Sequence, residues 1–289
     1  MIPIDRGAEP PELHEVRERR LPRAIDAFNE HGPGSKELLD TLNGYDVVKR
    51  VLFERQHKKC AYCERQPGFD GQPVEHFRPK KLAIRGPELA RVVDRERYWW
   101  LTWTWSNLFF ACGTCNGPAR KGNRFPLAVG SPPLGAPLRP APSPLPAQSF
   151  VTSSERPLLL DPSDRSIDPL DHLRWLPVDR TLARSAWTWE LRTKTAHGRA
   201  TKQHLRLDDL ADEVSSRYRE TVWPRFHRYV ERRLASTTPD QLLAAWDKLV
   251  RDLVHPASPL TAATWSMLDV LRVSTEALRR ARLLTPPRP

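Results

Sequence analysis

The sequence predicts an α+β protein, mostly helical, built around one small β-containing module stapled by metal. Three observations carry that prediction. Apolar residues recur at helical spacing on both sides of residues 59–130, while that stretch carries only brief β-like runs. All four cysteines lie inside it as two C-x-x-C pairs, Cys60/Cys63 and Cys112/Cys115. A stretch with seven prolines, 131–149, follows and excludes both helix interior and central strand. The chain therefore divides into an N-terminal helical segment (1–58), a zinc-bound module (59–130), a proline-rich loop or linker (131–149) and a C-terminal helical domain (150–289).

Length and composition support a folded chain. With 289 residues, ten Trp and nine Phe, there is enough apolar bulk for a real core and too much for disorder. A mean hydropathy of −0.58 and the lack of a long apolar run argue against a membrane span. Met1–Arg6 has no apolar signal core, so a cytoplasmic location is expected. The net charge is +11, carried by 36 Arg and only 10 Lys, so affinity for polyanions should be salt-sensitive. Codon bias can produce the arginine excess by itself.

Residues 12–57 read as two helices. Ser35 is the N-cap of the second, and Asn43-Gly44 interrupts it. Pro73–Lys81 reads as a short strand ended by Pro79. In the C-terminal half, Leu210, Val214, Tyr218, Val222, Phe226, Val230 and Leu234 form one apolar stripe, with Pro224 set to kink it. Thr238-Pro239 opens a helix that Pro256 stops, and a last helix is expected from about 261 to 284. There is no Walker-type glycine-rich loop, so the chain is not expected to hydrolyse ATP.

Two C-x-x-C knuckles in a cytoplasmic chain read as a four-cysteine zinc site rather than disulfides. A redox dithiol would need a thioredoxin-like βαβ setting, which the pattern does not offer. The knuckles are far apart in sequence, so the Zn2+ should be structural. Between and beside them lie Glu75-His76, Asn107, Asn116, Asn123, Lys121 and Arg124. A carboxylate beside a histidine, with amide oxygens and cations near, is what phosphodiester hydrolysis requires: ligands for a hard cation, a base, and charge for phosphate. The aromatic run Tyr98, Trp99, Trp100, Trp103, Trp105, Phe109, Phe110 could stack bases, but its place beside the knuckle favours packing.

The series C-x-x-C, Glu75-His76, Asn107-Leu108, C-x-x-C-Asn116 resembles the HNH nucleases, with a ββα-metal core framed by the zinc site. The fuller pattern is similar to the HNH subunit (PtuB type) of the two-gene Septu anti-phage defence system: Lys59–Glu64, Val74–Lys80, Tyr98–Leu101, Cys115-Asn116 and Lys121–Leu127. The resemblance spans about residues 1–235, with 59–127 the most specific part. It implies that His76 is the general base and that Glu75 and Asn116 hold one catalytic Mg2+ or Mn2+. It implies that Asn107 orients His76 and braces the loop. Asn123 is a rival to Asn116. Adjacent strand residues face opposite ways, so Glu75 and His76 converge only where the strand twists or ends. Lys121, Arg124, Arg78 and Lys80 are the expected phosphate contacts. The implied partners are nucleic acid, DNA or RNA, and an ABC/SMC-like ATPase that gates the nuclease. The alternative is a non-catalytic, zinc-stabilised nucleic-acid-binding or adaptor protein.

Overall fold

A computed structural model of the chain describes residues 1–86 and 92–289. Helix α1 (Pro11–His31) starts on a proline at N1 and buries Leu13, Val16, Leu21, Ala24, Ile25 and Phe28 along one face. Ser35 caps α2 (Lys36–Thr41), its Oγ accepting the Leu38 N–H at 3.2 Å. Gly44, at φ +81°, ends that helix; a 3₁₀ turn, Tyr45–Val48, then leads into α3 (Lys49–Arg55). The single second helix expected here is thus three pieces, broken at Asn43-Gly44.

The module after α3 contains two small antiparallel pairs. Strand β1 (Val74–His76) pairs with β4 (Leu108–Phe110), placing His76 opposite Leu108 and Glu75 opposite Phe109. Strands β2 (Ala83–Arg85) and β3 (Val92–Asp94) form the other pair. One helical turn, α4 (Gly113–Asn116), follows β4. All seven residues of the aromatic run are buried, so it is core. Three of its four indoles are also tied down: Trp100, Trp103 and Trp105 donate Nε1–H to the carbonyls of Ser149 (2.8 Å), Asn43 (2.9 Å) and Gly7 (3.1 Å).

The proline-rich stretch has neither helix nor strand before the 3₁₀ turn at Ala147–Phe150, and it is fastened to the fold. The Asn29 side chain on α1 pairs with both backbone groups of Ala141, at 2.6 and 2.9 Å, while Leu134 and Leu145 are buried. The C-terminal half departs from the all-helical expectation. After the short α5 (Pro169–His172), an antiparallel hairpin of β5 (Leu173–Pro177) and β6 (Trp189–Thr193) turns Leu173, Trp175, Trp189 and Leu191 inward. Helix α6 (Ala196–Leu205) then crosses so close that a Cβ at Gly198 would lie 2.3 Å from the His172 carbonyl.

The long apolar stripe is α7 (Ala211–Arg217), a π turn at Tyr218–Val222 and α8 (Trp223–Tyr229). Residues spaced by four drift about 40° per step round an ideal α-helix. The wide π turn ahead of Pro224 absorbs that drift, and Leu210, Val214, Tyr218, Val222, Phe226 and Val230 are all buried. Helix α9 (Pro239–Leu253) carries a capping box between Thr238 and Gln241. The last expected helix is two, α10 (Thr261–Leu271) and α11 (Glu276–Arg280), because Thr275 caps a new start.

One apolar core joins all of these segments, running from Met1 to Leu283. A buried polar contact also links the zinc module to α10. Lys59 Nζ lies 3.5 Å from Glu64 and donates to Ser258 O and Thr261 Oγ1, both at 3.2 Å. The Glu64 carboxylate in turn accepts the Ala262 N–H at 3.2 Å, at the start of α10.

Candidate metal centre and candidate active site

The cysteines converge because β4 delivers Cys112 beside the turn that holds Cys60 and Cys63. Gln56 sets that junction. Its side chain accepts the Phe110 N–H (2.9 Å) and donates to Phe110 O (2.7 Å), replacing a strand partner. All four sulfurs are buried and lie within 4.8 Å of one another, with Cys63 and Cys112 Sγ 3.8 Å apart. Tetrahedral Zn–S bonds of about 2.3 Å require S–S edges of about 3.8 Å. Cys112 Sγ also accepts the Cys115 N–H at 3.4 Å, as a thiolate ligand would. Hydrogen bonds from Cys115, Cys60 and Cys63 hold the Cys112 thiol far below its ordinary range. Four buried cysteines are thus positioned to bind one metal ion, and the donor set suits structural zinc.

His76 ends β1 and is buried. Its Nε2 lies 3.0 Å from the Thr102 carbonyl, which can only accept, so Nε2 carries the hydrogen and Nδ1 the lone pair. Tyr45 meets the imidazole edge-on, ring centroids 4.5 Å apart, and Lys80 Nζ sits 3.9 Å from the centroid of the Tyr45 ring. Burial, then the charges of Lys80 and Lys121, lower the His76 pKa to about 3, against an opposing contribution from the Thr102 bond.

Asn107 bonds backbone groups of two separate segments. It sits just before β4, fully enclosed, and its amide clamps the chain after β1. Oδ1 accepts the Arg78 N–H at 2.7 Å, and Nδ2 donates to Arg78 O (3.1 Å) and Leu101 O (3.2 Å). Phe77 N–H also donates to Asn107 O at 2.9 Å. The residue thereby joins the His76 strand to the loop that carries Thr102.

Glu75 is placed differently from the cation ligand it was expected to be. It is buried and ion-paired with Lys121, whose Nζ also donates to His76 O at 2.8 Å. Burial raises the Glu75 pKa, and Lys121 opposes that rise. Asn116 ends α4, half-buried, and its side chain makes no hydrogen bond. Asn123 lies on the following loop, its carbonyl accepting the Ile84 N–H at 2.8 Å. A hard divalent cation needs about six oxygen ligands. Here the one carboxylate is engaged by an ammonium. Among the described residues, the four cysteines form the one group of three or more His, Cys, Asp or Glu within ligating reach. As folded, the Glu75 carboxylate is committed to Lys121 and not open to a Mg2+ or Mn2+ ion.

The expected phosphate contacts also divide. Lys121 and Arg78 face inward: Arg78 Nε is 2.8 Å from the enclosed Glu155, which also takes the Tyr98 hydroxyl and the Leu134 N–H. Both are structural cations here, because each neutralises a buried carboxylate. Lys80 stays half-exposed, with its Nζ 2.6 Å from Leu42 O. Its pKa is lowered to about 7, chiefly by burial and then by Lys81. Arg124 is half-exposed on the wall of a cleft of about 260 Å³ shared with Gln203, His204 and Arg206.

Sequence reasoning missed Tyr45, Thr102, Lys121 as the partner of Glu75, and Glu155. A backbone carbonyl such as that of Thr102 leaves no trace in residue type. No protein-family model, curated protein or solved structure matches the chain. No helix among the described residues is long and apolar enough to cross a membrane.

Proposed function

We propose that the chain is an endonuclease of the HNH, ββα-metal type that hydrolyses nucleic-acid phosphodiester bonds with His76 as the general base. The observation that carries this reading is the state of His76: Nε2–H is committed to the Thr102 carbonyl at 3.0 Å, and Nδ1 is left as the basic atom. In the reaction, Nδ1 takes a proton from water, the hydroxide oxygen bonds phosphorus, and the P–O3′ bond breaks. The 3′ oxygen then takes a proton, giving 5′-phosphate and 3′-hydroxyl ends. A base works best with a pKa near the working pH. Lys80 is the leading charge depressing His76, so a phosphate bound beside Lys80 offsets that depression and moves Nδ1 toward the useful range.

Zn2+ at the four cysteines fits the reading as a structural staple. The Mg2+ or Mn2+ implied by the resemblance does not fit Glu75 and Asn116 as they stand, so no step is drawn through it. The role in phage defence and the gating by an ABC/SMC-like ATPase belong to the same proposal and rest on the likeness to PtuB-type subunits alone.

The Glu75–Lys121 pair favours a second reading, a zinc-stabilised nucleic-acid-binding or adaptor protein without catalysis. One experiment separates them. Wild type and His76→Ala are incubated with plasmid, single-stranded DNA and total RNA, in Mg2+, Mn2+ and EDTA, with and without a candidate ATPase partner. The nuclease reading expects a loss of at least about 10²-fold in His76→Ala with its zinc content unchanged. Equal cleavage by both proteins refutes His76 as the base, and no cleavage by either in any condition leaves the adaptor reading.

A further inference from the structure

A basic concavity of the C-terminal half, lined by none of the candidate active-site residues, lies between α8 and α9. It is a cleft of about 940 Å³. Small and apolar residues of α9, among them Ala245 and Leu249, form its floor. Arg225 and Arg228 from α8, Arg233 from the turn after it, and Lys248 from α9 stand along its walls. Four cations there face one carboxylate, Asp252, which Lys248 already engages at 2.6 Å. Among the described residues, Arg225, Arg228 and Arg233 have no ion pair or side-chain hydrogen bond. Tyr229 lies on the wall with 40% of its surface exposed, and the Arg233 guanidinium sits 6.0 Å from its ring centroid.

We propose that this cleft is a binding site for single-stranded nucleic acid, separate from the candidate active site. Three features select that ligand. Unpaired guanidinium groups in a row along α8 and the turn after it suit successive phosphates, which they can grip in bidentate fashion. An exposed tyrosine beside them offers a ring for an unpaired base, and a duplex keeps its base faces covered. The volume sits near the top of the range for small-ligand pockets, so it accommodates more than one nucleotide. The spacing of Arg225, Arg228 and Tyr229 (i, i+3, i+4) puts all three on one face of α8. The cleft needs no cleavage at His76 in order to bind.

The test measures fluorescence anisotropy of labelled 12-mers (single-stranded DNA, single-stranded RNA and duplex DNA) on the full chain carrying His76→Ala, which prevents turnover. Arg225→Glu/Arg228→Glu is compared with Arg19→Glu/Arg23→Glu, an equal change of charge on α1. All four sites are exposed. The cleft variant should weaken single-strand binding at least tenfold and flatten the plot of log affinity against log salt by roughly two phosphate contacts. The α1 variant should change affinity less than threefold. Tyr229→Ala should weaken single strands and leave duplex unchanged, and Arg228→Gln should lose affinity with an unaltered melting curve. Tripolyphosphate is the competitor that tests for a site serving any free polyanion. Equal losses from the two double variants, full competition by tripolyphosphate at matched charge, or no binding by the parent overturns the proposal. Cleft-dependent binding here, with no cleavage by the His76-bearing chain in the assay proposed above, upholds the site and removes only the nuclease reading.

Discussion

Asn107 pairs with Arg78 as one β-strand residue pairs with another: a single side-chain amide accepts the Arg78 N–H at 2.7 Å and donates to its carbonyl at 3.1 Å. The third bond, to Leu101 O, fixes the loop bearing Thr102 against the end of β1. Asn107→Ala leaves these buried backbone groups without partners, at about 1–3 kcal/mol each. We expect a fall in melting temperature of about 5–10 °C by differential scanning fluorimetry. Asn107→Asp should rescue little, because it replaces the two-bond donor with an acceptor. A variant melting like wild type would remove the brace.

Glu75 and Lys121 are both enclosed, so neither charge has water to fall back on. Lys121→Met alone strands a buried carboxylate and should cost about 3–5 kcal/mol. Glu75→Gln with Lys121→Met removes both charges and should be milder than the single Lys121 change. Chemical denaturation of the two singles and the double gives the coupling directly. Additive losses would mean that the ion pair contributes nothing.

The cysteine cluster predicts a metal-dependent fold. Cys112→Ser should lose bound zinc, measured by elemental analysis, and melt at least about 10 °C lower, given the scale of structural zinc binding. Chelator should do the same to wild type. A zinc-free variant with an unchanged melt would show that the four thiols pack without metal.

His76 makes stability depend on acid. Its folded pKa is about 3, below the ordinary value of 6.5, because burial and neighbouring lysines disfavour the charged ring. Between those values the unfolded chain binds a proton that the folded chain does not, so stability is full above 6.5 and declines as pH falls toward 3. The contribution is at most about 1.4 kcal/mol per pH unit. Denaturation midpoints from pH 7.5 to 4.5 should therefore drop more steeply for wild type than for His76→Ala. Parallel curves would refute the assignment of a neutral buried ring.

The features legible in the sequence are those fixed by near neighbours. The C-x-x-C pairs, the Ser35 and Thr238 caps, the break at Gly44 and the four-residue apolar stripe all announce themselves within a few positions. The β5–β6 hairpin was legible too, since Leu173, Trp175, Trp189 and Leu191 alternate with polar residues, but the surrounding helical patterns mask it. The break between α10 and α11 had its signal in Thr275. What the sequence hides is which charges are inside. Arg78 meets Glu155 across 77 positions, and Lys121 reaches back to Glu75, so nothing local separates them from solvated cations.

Glu64 has a further consequence for the order in which the chain assembles. The cysteines are all present once residue 115 is made, yet the helix end that the Glu64 carboxylate receives lies 198 positions beyond it. On the ribosome, the knuckle can close around its metal while α10 is still untranslated. Over that interval the Glu64 carboxylate lacks the Ala262 N–H and keeps the Met1 ammonium and Lys59 as partners. The contact that joins the C-terminal helices to the knuckle spans a loop of 198 positions, the kind of long-range closure that forms slowly.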